Sequence, residues 1–381
     1  MRIALVTTSF AQSNNDLSMP PLIDYVRSIS DRVTLDVYAL QYPFEPRTFA
    51  LFGARVIAFG YGRAPRVARA LSRRRVAARI ARQHAHEPYD VIHAIWADRP
   101  AQIAADLSER LSIPVITSFY GGEAVWLPQI QYGSLRSPGR RRTLARVLDR
   151  SAAVTVGSAT LADTVRSTFD TPVQISPFGY APARFNPDGP RELLGPDRHI
   201  VTAASFGPVK GLDILLQALH QVAARTPRLL EDTTFHLIGP DPRDRALRQA
   251  LSQQIGALPV RLHEGRPHWE MPAIYRAADL ALVTSRFESQ CFAAVEPAAC
   301  GTPVMGTSVG ILPEFVAPDW LCRPGDPEAL LEIITRVLST PENWGAEAVR
   351  QRAWLSENAT LDHARDRFLS LYADVIAGTS I

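Results

Sequence analysis

Apolar residues along this chain fall into two alternating patterns. Short runs such as "RIALVTT", "VTLDVYAL", "YDVIHAIW", "IPVITSFY" and "AAVTVGS" have the length and β-branched content of buried strands. Between them, "PLIDYVRSIS", "PAQIAADLSERL" and "ATLADTVRSTF" repeat apolar residues three and four apart, the period of a helix with one buried face. Strands alternating with such helices predict βαβ units and a mainly parallel sheet. The pattern breaks at "SPFGYAPARFNPDGPRELLGPDRH", dense in Pro and Gly, which reads as an interdomain linker centred near Pro182 to Pro196. It then restarts, with "HIVTAAS", "TFHLIG", "PVRLHEG", "LALVTS" and "TPVMGT" as strands and "GLDILLQALHQVAAR" and "MPAIYRAAD" as helices. The expected fold is α/β, with Rossmann-like domains over residues 1–184 and 185–360 facing a cleft. Ligands of such sheets sit at the carboxyl ends of strands. That rule gathers "TTSFAQSNND", "SFYGGE", "SFGPVKG", "HEGR" and "SRFESQC" around the cleft.

Composition narrows the class. A chain of 381 residues, 46% hydrophobic and 21% charged, suits a soluble two-domain protein. Three cysteines, Cys291, Cys300 and Cys322, cannot pair evenly and have no C-x-x-C spacing, which points to a reducing compartment without structural zinc. The opening "MRIALVTTSF" has too short an apolar run for a signal core, and no charge-free window spans a membrane, so a cytoplasmic location is expected. The overall charge of +3 hides an asymmetry: residues 1–180 carry 22 Arg/Lys against 14 Asp/Glu, and residues 181–381 carry 19 against 24. Much of the excess lies in two helical stretches, Arg63 to Gln83 and Arg136 to Arg150. Three readings stand: a solvated helix surface, peripheral docking on the anionic inner face of a membrane, or steering of an anionic ligand. Nucleic acid is disfavoured, because the arginines are not interleaved with aromatics. Of the 41 basic residues, Lys210 is the only lysine. In a chain that otherwise uses arginine, it stands out.

Candidate chemistry centres on "SRFESQCFAAVEPAACGTPV". Glu288 falls in the loop after a strand and Glu296 within the next helix, in otherwise apolar surroundings. Eight helical residues span up to ~12 Å at 1.5 Å each. That scale lets two carboxylates reach opposite ends of a nucleotide-sugar, taking hydroxyl donors at each. A helix starting near Phe292 and Ala293 would offer free N–H groups and positive dipole to a diphosphate. Taken alone, the spacing is common.

The wider stretch "YRAADLALVTSRFESQCFAAVEPAACGTPVMGTSVGILPE" resembles the signature of retaining glycosyltransferases of family 4, with Glu-x7-Glu, then small-Cys-Gly-x-Pro-Val and Gly-x-x-Pro-Glu. The likeness extends to "VKGLDILLQAL", "FHLIGP", "YDVIHA", "YGGE" and "PARFNP". It implies the GT-B fold, with a helix over 361–381 crossing back to the first domain. It implies a nucleotide diphosphate sugar as donor substrate, a hydroxyl acceptor (glycan, lipid-linked or small molecule), and no metal or other cofactor. Carried over, Glu288 meets the donor sugar, Glu296 the ribose and Lys210 the diphosphate, with Lys210 and Glu288 the catalytic pair. "DPRD", Asp241 to Asp244, reads as a turn rather than a metal site.

Departures from the family pattern set further expectations. Ser205 stands where an arginine is usual, and Arg266 is the candidate replacement at the diphosphate. Cys291 replaces a common glycine, and Pro297 predicts a helix that begins late or bends. The first loop has no glycine, leaving Asn14 and Asn15 as acceptor-side contacts. Tyr120 replaces a frequent histidine beside Gly121; both are acceptor-side candidates, the tyrosine able to hydrogen-bond a sugar hydroxyl but not to act as a neutral-pH base. These substitutions leave open a nucleotide-binding scaffold with impaired catalysis. A hydrolase alternative rests on "GTSVG", with Ser308 followed by Asp326 and His363, but Pro313 interrupts the helix an elbow needs. Dinucleotide motifs are incomplete in "GYGRAP" and "IGPDP".

Overall fold

The computed structural model describes residues 1–14, 16, 18–192, 194–239 and 245–379. The chain divides into two units, Met1–Gly179 with Leu361–Ile381, and Tyr180–Thr360. The Asp241 to Asp244 turn expected from sequence lies outside the described residues.

The first unit holds strands β1 (Arg2–Ser9), β2 (Thr34–Tyr42), β3 (Arg47–Leu51), β4 (Ala54–Ala58), β5 (Val91–Ile95), β6 (Val115–Phe119), β7 (Ala153–Val156) and β8 (Gln174–Ile175). Its helices are α1 (Pro20–Ile29), α2 (Arg66–His86), α3 (Arg99–Leu111), α4 (Pro138–Leu148) and α5 (Ala159–Phe169). The sheet order is β3-β4-β2-β1-β5-β6-β7-β8, parallel except at the β3–β4 hairpin. Strand order reverses between β1 and β5, which pair directly. The chain therefore departs in opposite directions from the ends of these two strands, and the loops leave a crevice.

The second unit holds β9 (Arg198–Ala203), β10 (Thr233–Ile238), β11 (Val260–His263), β12 (Leu280–Val283), β13 (Val304–Thr307) and β14 (Leu321–Cys322). Helices α6 (Leu212–Arg225), α7 (Arg245–Ile255), α8 (Met271–Ala277), α9 (Phe292–Ala299), α10 (Leu312–Phe315), α11 (Pro327–Ser339) and α12 (Trp344–Asn358) accompany them. The order β11-β10-β9-β12-β13-β14 is wholly parallel and reverses between β9 and β12. Strands β10, β12 and β13 are buried along their whole length, as their apolar runs required, while the edge strand β11 is partly exposed.

Two elements depart from the pattern-based reading. The Pro/Gly-rich segment is not a free linker: Tyr180 and Phe185 are core residues of the second unit. Arg276 fixes the segment by donating to the carbonyls of Asn186 and Pro190, at 3.1 and 2.9 Å. Its lack of periodicity reflects carbonyls bonded to a side chain rather than to a ladder. The last helix, α13 (Leu361–Ile376), belongs to the first unit. There the buried Tyr372 hydroxyl meets Tyr25 at 2.5 Å and His93 Nδ1 at 2.7 Å. His93 continues through Nε2 to Ser118 at 2.7 Å, and burial holds its pKa down at about 3. The histidine of "YDVIHA" is thus a neutral structural bridge from α13 into β5 and β6.

Candidate active site

In the second unit, Lys210 and Glu288 leave the ends of the two strands that flank the switch point. Lys210 closes a single 3₁₀ turn, Pro208–Lys210, after β9. Its Nζ lies 2.5 Å from Glu288 Oε1, which also accepts from Ser285 Oγ at 2.7 Å. The backbone is stitched as well: Thr284 Oγ1 donates to the Lys210 carbonyl at 2.8 Å and the Arg286 amide donates to Val209 at 2.7 Å. Two glycines make this approach possible. A Cβ on Gly211 (φ 66°) would stand 2.0 Å from the Thr284 carbonyl oxygen. One on Gly310 (φ 55°) would stand 2.4 Å from the Gln290 carbonyl oxygen and 3.0 Å from Glu288 Cβ. The Gly-x-x-Pro-Glu loop therefore packs directly on the backbone beside Glu288.

Helix α9 starts at Phe292, where the sequence placed it, and Pro297 is accommodated inside it rather than delaying it. Cys291 precedes it in the left-handed region, φ 87°, where a glycine would be unstrained. Holding a side chain there costs on the order of 1–3 kcal/mol. The amides of Phe292 and Ala293 open the helix, half-buried and aligned with its positive end.

Glu296 lies one turn further along α9 and is 6% exposed. It survives burial because both oxygens are paired: His268 Nε2 lies 2.7 Å from Oε1 and the Tyr275 hydroxyl donates to Oε2 at 3.3 Å. Arg184 Nη1 lies 3.3 Å from His268 Nδ1. A guanidinium can only donate, so Nδ1 accepts and Nε2 carries the proton given to Glu296. Phe185 packs on the same imidazole, with ring centroids 5.1 Å apart. The "PARFNP" segment is thus the support of Glu296. Sequence reasoning missed His268, Tyr275 and Arg184 as partners; the one signal was an uncovered carboxylate that needed donors from somewhere.

Other predicted residues are placed differently. Ser205 is exposed on the loop after β9. Arg266 pairs with Glu192 at 3.0 Å and Glu270 at 3.5 Å. Asn14 is exposed, and Asn15 lies outside the described residues. The glycine-free first loop is shaped instead by Asp16, which accepts from the Gln12 and Ser18 amides, each at 2.9 Å, and from the Tyr42 hydroxyl at 2.5 Å. Tyr120 stacks on Phe178 at 4.1 Å and donates its hydroxyl to the Ser176 carbonyl at 2.7 Å. Gly121 lies between Glu123 and the Trp96 indole. The hydrolase alternative fails on geometry: the helix after Ser308 is the four-residue α10, and Asp326 caps α11 through the Ala329 amide. Among the described residues no cluster of three or more metal-ligating side chains occurs. No helix among them is long and apolar enough to cross a membrane.

Comparison with known proteins agrees with this layout. The family model described as Glycosyltransferase Family 4 matches residues 23–184, and that described as Glycosyl transferases group 1 matches residues 197–340. The chain belongs to glycosyltransferase family 4. A curated relative, the MMP alpha-(1->4)-mannosyltransferase of Mycolicibacterium hassiacum, is 27% identical over 343 residues, covering 86% of this chain and 76% of the relative. Among solved structures, sucrose-phosphate synthase from Thermosynechococcus elongatus matches with a TM-score of 0.82 at 19% identity, over 99% of this chain and 100% of that one. Anabaena HepE in complex with UDP-glucose matches with a TM-score of 0.73, also at 19% identity, over 98% of this chain and 100% of that one. The fold of this family 4 glycosyltransferase is GT-B.

Proposed function

We propose that this glycosyltransferase moves a hexose unit from a nucleotide diphosphate sugar to an acceptor hydroxyl with retention of anomeric configuration. The observation that carries the reading is the pairing of Lys210 with Glu288, beside the start of a helix that carries the buried Glu296. Glu296 takes the ribose hydroxyls, with His268 and Tyr275 holding its carboxylate in place. The diphosphate lies over the Phe292 and Ala293 amides, and Lys210 turns from Glu288 toward it. Glu288, relieved of the ammonium, accepts from a donor-sugar hydroxyl. As the bond from C1 to the diphosphate oxygen breaks, negative charge grows on that oxygen and the Lys210 ammonium stabilises it. The acceptor oxygen bonds to C1 on the same face, and its proton passes to the departing diphosphate. No metal is called for, because Lys210 and the helix start supply the positive field.

Incubation with a panel of uridine, guanosine and adenosine diphosphate hexoses tests this reading. Release of nucleoside diphosphate should occur with at least one α-linked donor. The first-formed product should show the α anomer by proton NMR. An inverted first product would remove the retaining mechanism, and no binding or turnover of any donor would remove the function.

A further inference from the structure

The switch point of the first unit carries an arrangement that the donor chemistry does not use. A cavity of about 320 Å³ lies beyond the ends of β1 and β5, bordered by Thr8, Ser9, Ser18, Tyr42, Trp96 and Asp98. That volume is within the ~300–1,000 Å³ usual for ligand pockets. Four of these residues are neutral hydroxyl bearers, one is a carboxylate and one a large aromatic ring.

The backbone at Trp96 is strained. Its φ is 75°, a conformation that bulky side chains rarely adopt. Two contacts enforce it: the Trp96 amide donates to the Ser118 carbonyl at 3.0 Å, and the next amide, Ala97, donates to Glu123 Oε1 at 3.2 Å. The same oxygen accepts from the Tyr120 amide at 3.4 Å, so Glu123 ties the turn after β5 to the turn after β6. Gly121 lets the two groups close on the chain, since a Cβ there would stand 3.1 Å from Glu123 Oε2 and 3.4 Å from the indole. Glu123 is 3% exposed, and its Oε2 is buried without a hydrogen-bond partner. Leaving a buried carboxylate oxygen unmatched is costly, and strain maintained at that cost is characteristic of functional sites.

We propose that Glu123 is a positioning residue that clamps the Ala97 and Tyr120 amides to hold Trp96 as a platform for the ring of a cyclic polyol acceptor, whose hydroxyl donates to Asp98. The inference rests on the glycosyl-transfer reading for the word acceptor. A pyranose or cyclitol ring presents a face of C–H groups that packs on an aromatic face, while its rim of hydroxyls suits Ser9, Ser18 and a carboxylate. An open-chain polyol lacks that rigid face. Burial and the neighbouring Asp98 carboxylate push Glu123 up to about 7. The other groups around it are the Arg73, Arg99 and Arg140 guanidiniums, which border a second cavity with it, and the Tyr132 phenol across Gly122. Protonation on the unpartnered Oε2 weakens the acceptor power of Oε1 and loosens the clamp, so ring binding strengthens as pH rises through neutrality.

The test uses the full chain labelled with 5-fluorotryptophan and followed by fluorine NMR, its six tryptophans being assigned by substitution, Trp96→Phe first. The probes are D-glucose, D-mannose and myo-inositol, with D-sorbitol as the open-chain control. At least one ring, and not sorbitol, should shift the Trp96 resonance selectively. Glu123→Ala should weaken that response ten-fold or more, and Glu123→Gln should retain the response while removing its pH dependence near neutrality. Loss of folding would instead disturb all six resonances, and Glu123→Gln then carries the test alone. The proposal is overturned if no ring moves Trp96, or if the pH dependence survives in Glu123→Gln. Calorimetry with UDP-glucose and the other donors on the same sample separates the two readings. Donor binding without a Trp96 response sinks only this inference. A Trp96 response with no donor bound supports the ring platform and removes the transferase reading.

Discussion

Glu296 and Glu123 are both buried glutamates at the carboxyl ends of parallel sheets, yet they are kept in opposite ways. Glu296 has a side-chain donor on each oxygen, His268 and Tyr275. Glu123 is met by backbone amides, those of Ala97 and Tyr120 both on Oε1, and its Oε2 has no hydrogen-bond partner. In the first arrangement both oxygens are held by side chains, which pre-organises the carboxylate for a ligand that brings hydroxyls. The second is a poised one, whose charge is marginal near neutral pH. The second unit thus uses its carboxylate for a fixed field around a donor, and the first uses its carboxylate to hold a backbone conformation.

The largest effect is expected at Lys210. Lys210→Met should lower donor turnover by ~10²–10³-fold, the scale of removing one stabiliser of developing charge. It should also leave Glu288 accepting from the Ser285 hydroxyl, without its cation. Steady-state release of nucleoside diphosphate is the measurement. Gly211→Ala should do comparable harm by a different route, because the added Cβ meets the Thr284 carbonyl and the Lys210 turn cannot close. Its signature is a loss of thermal stability that Lys210→Met does not share.

Next in size is Glu296→Ala. Charge-assisted hydrogen bonds contribute roughly 1.5–3 kcal/mol each, so affinity for a nucleoside diphosphate should fall by a factor of ~10 to 150 in calorimetry. His268→Ala should cost less, about ten-fold, because Tyr275 still donates to the carboxylate.

The pH dependence of stability sharpens the other side. Glu123 keeps its proton in the folded protein to about 7, against an ordinary value of 4.5. The folded state therefore binds more protons between those values, and this group's contribution to stability falls as pH rises from 4.5 to about 7 and then levels. The shift corresponds to ~3 kcal/mol as an order of magnitude. Denaturant midpoints of Glu123→Gln should lack this component of the fall. The smallest effect concerns the arginine-rich helices. If they dock on anionic membrane, cosedimentation with phosphatidylserine vesicles should appear at low salt and vanish at high salt; no binding at low salt leaves a solvated surface.

Much of this was legible in the chain because strands buried on both faces and one-sided helices write distinct periods. Lys210, Glu288 and Glu296 stood out by composition and by their family spacing. The β3–β4 hairpin did not, since its two-residue turn uses Phe52 and Gly53, both at positive φ, where Asn or Asp would have been the cue. The role of "PARFNP" was hidden for a related reason: Pro and Gly signal a break in periodicity, and cannot say that Arg184 and Phe185 will brace His268. Glu123 and Trp96 were invisible because their partners are backbone amides, which every sequence contains.

The central claim is that Lys210 meets the donor diphosphate, and its being the only lysine gives the most direct test. An amine-selective acylating reagent can modify only Lys210 and the N-terminal amine, and peptide mapping reports the rate at each. With a bound nucleotide diphosphate sugar, modification of Lys210 should slow while the N-terminus reacts unchanged, and fully acylated protein should lose transfer along with the cation. Equal labelling of Lys210 with and without every donor in the panel, in protein that still transfers sugar after acylation, would contradict the assignment.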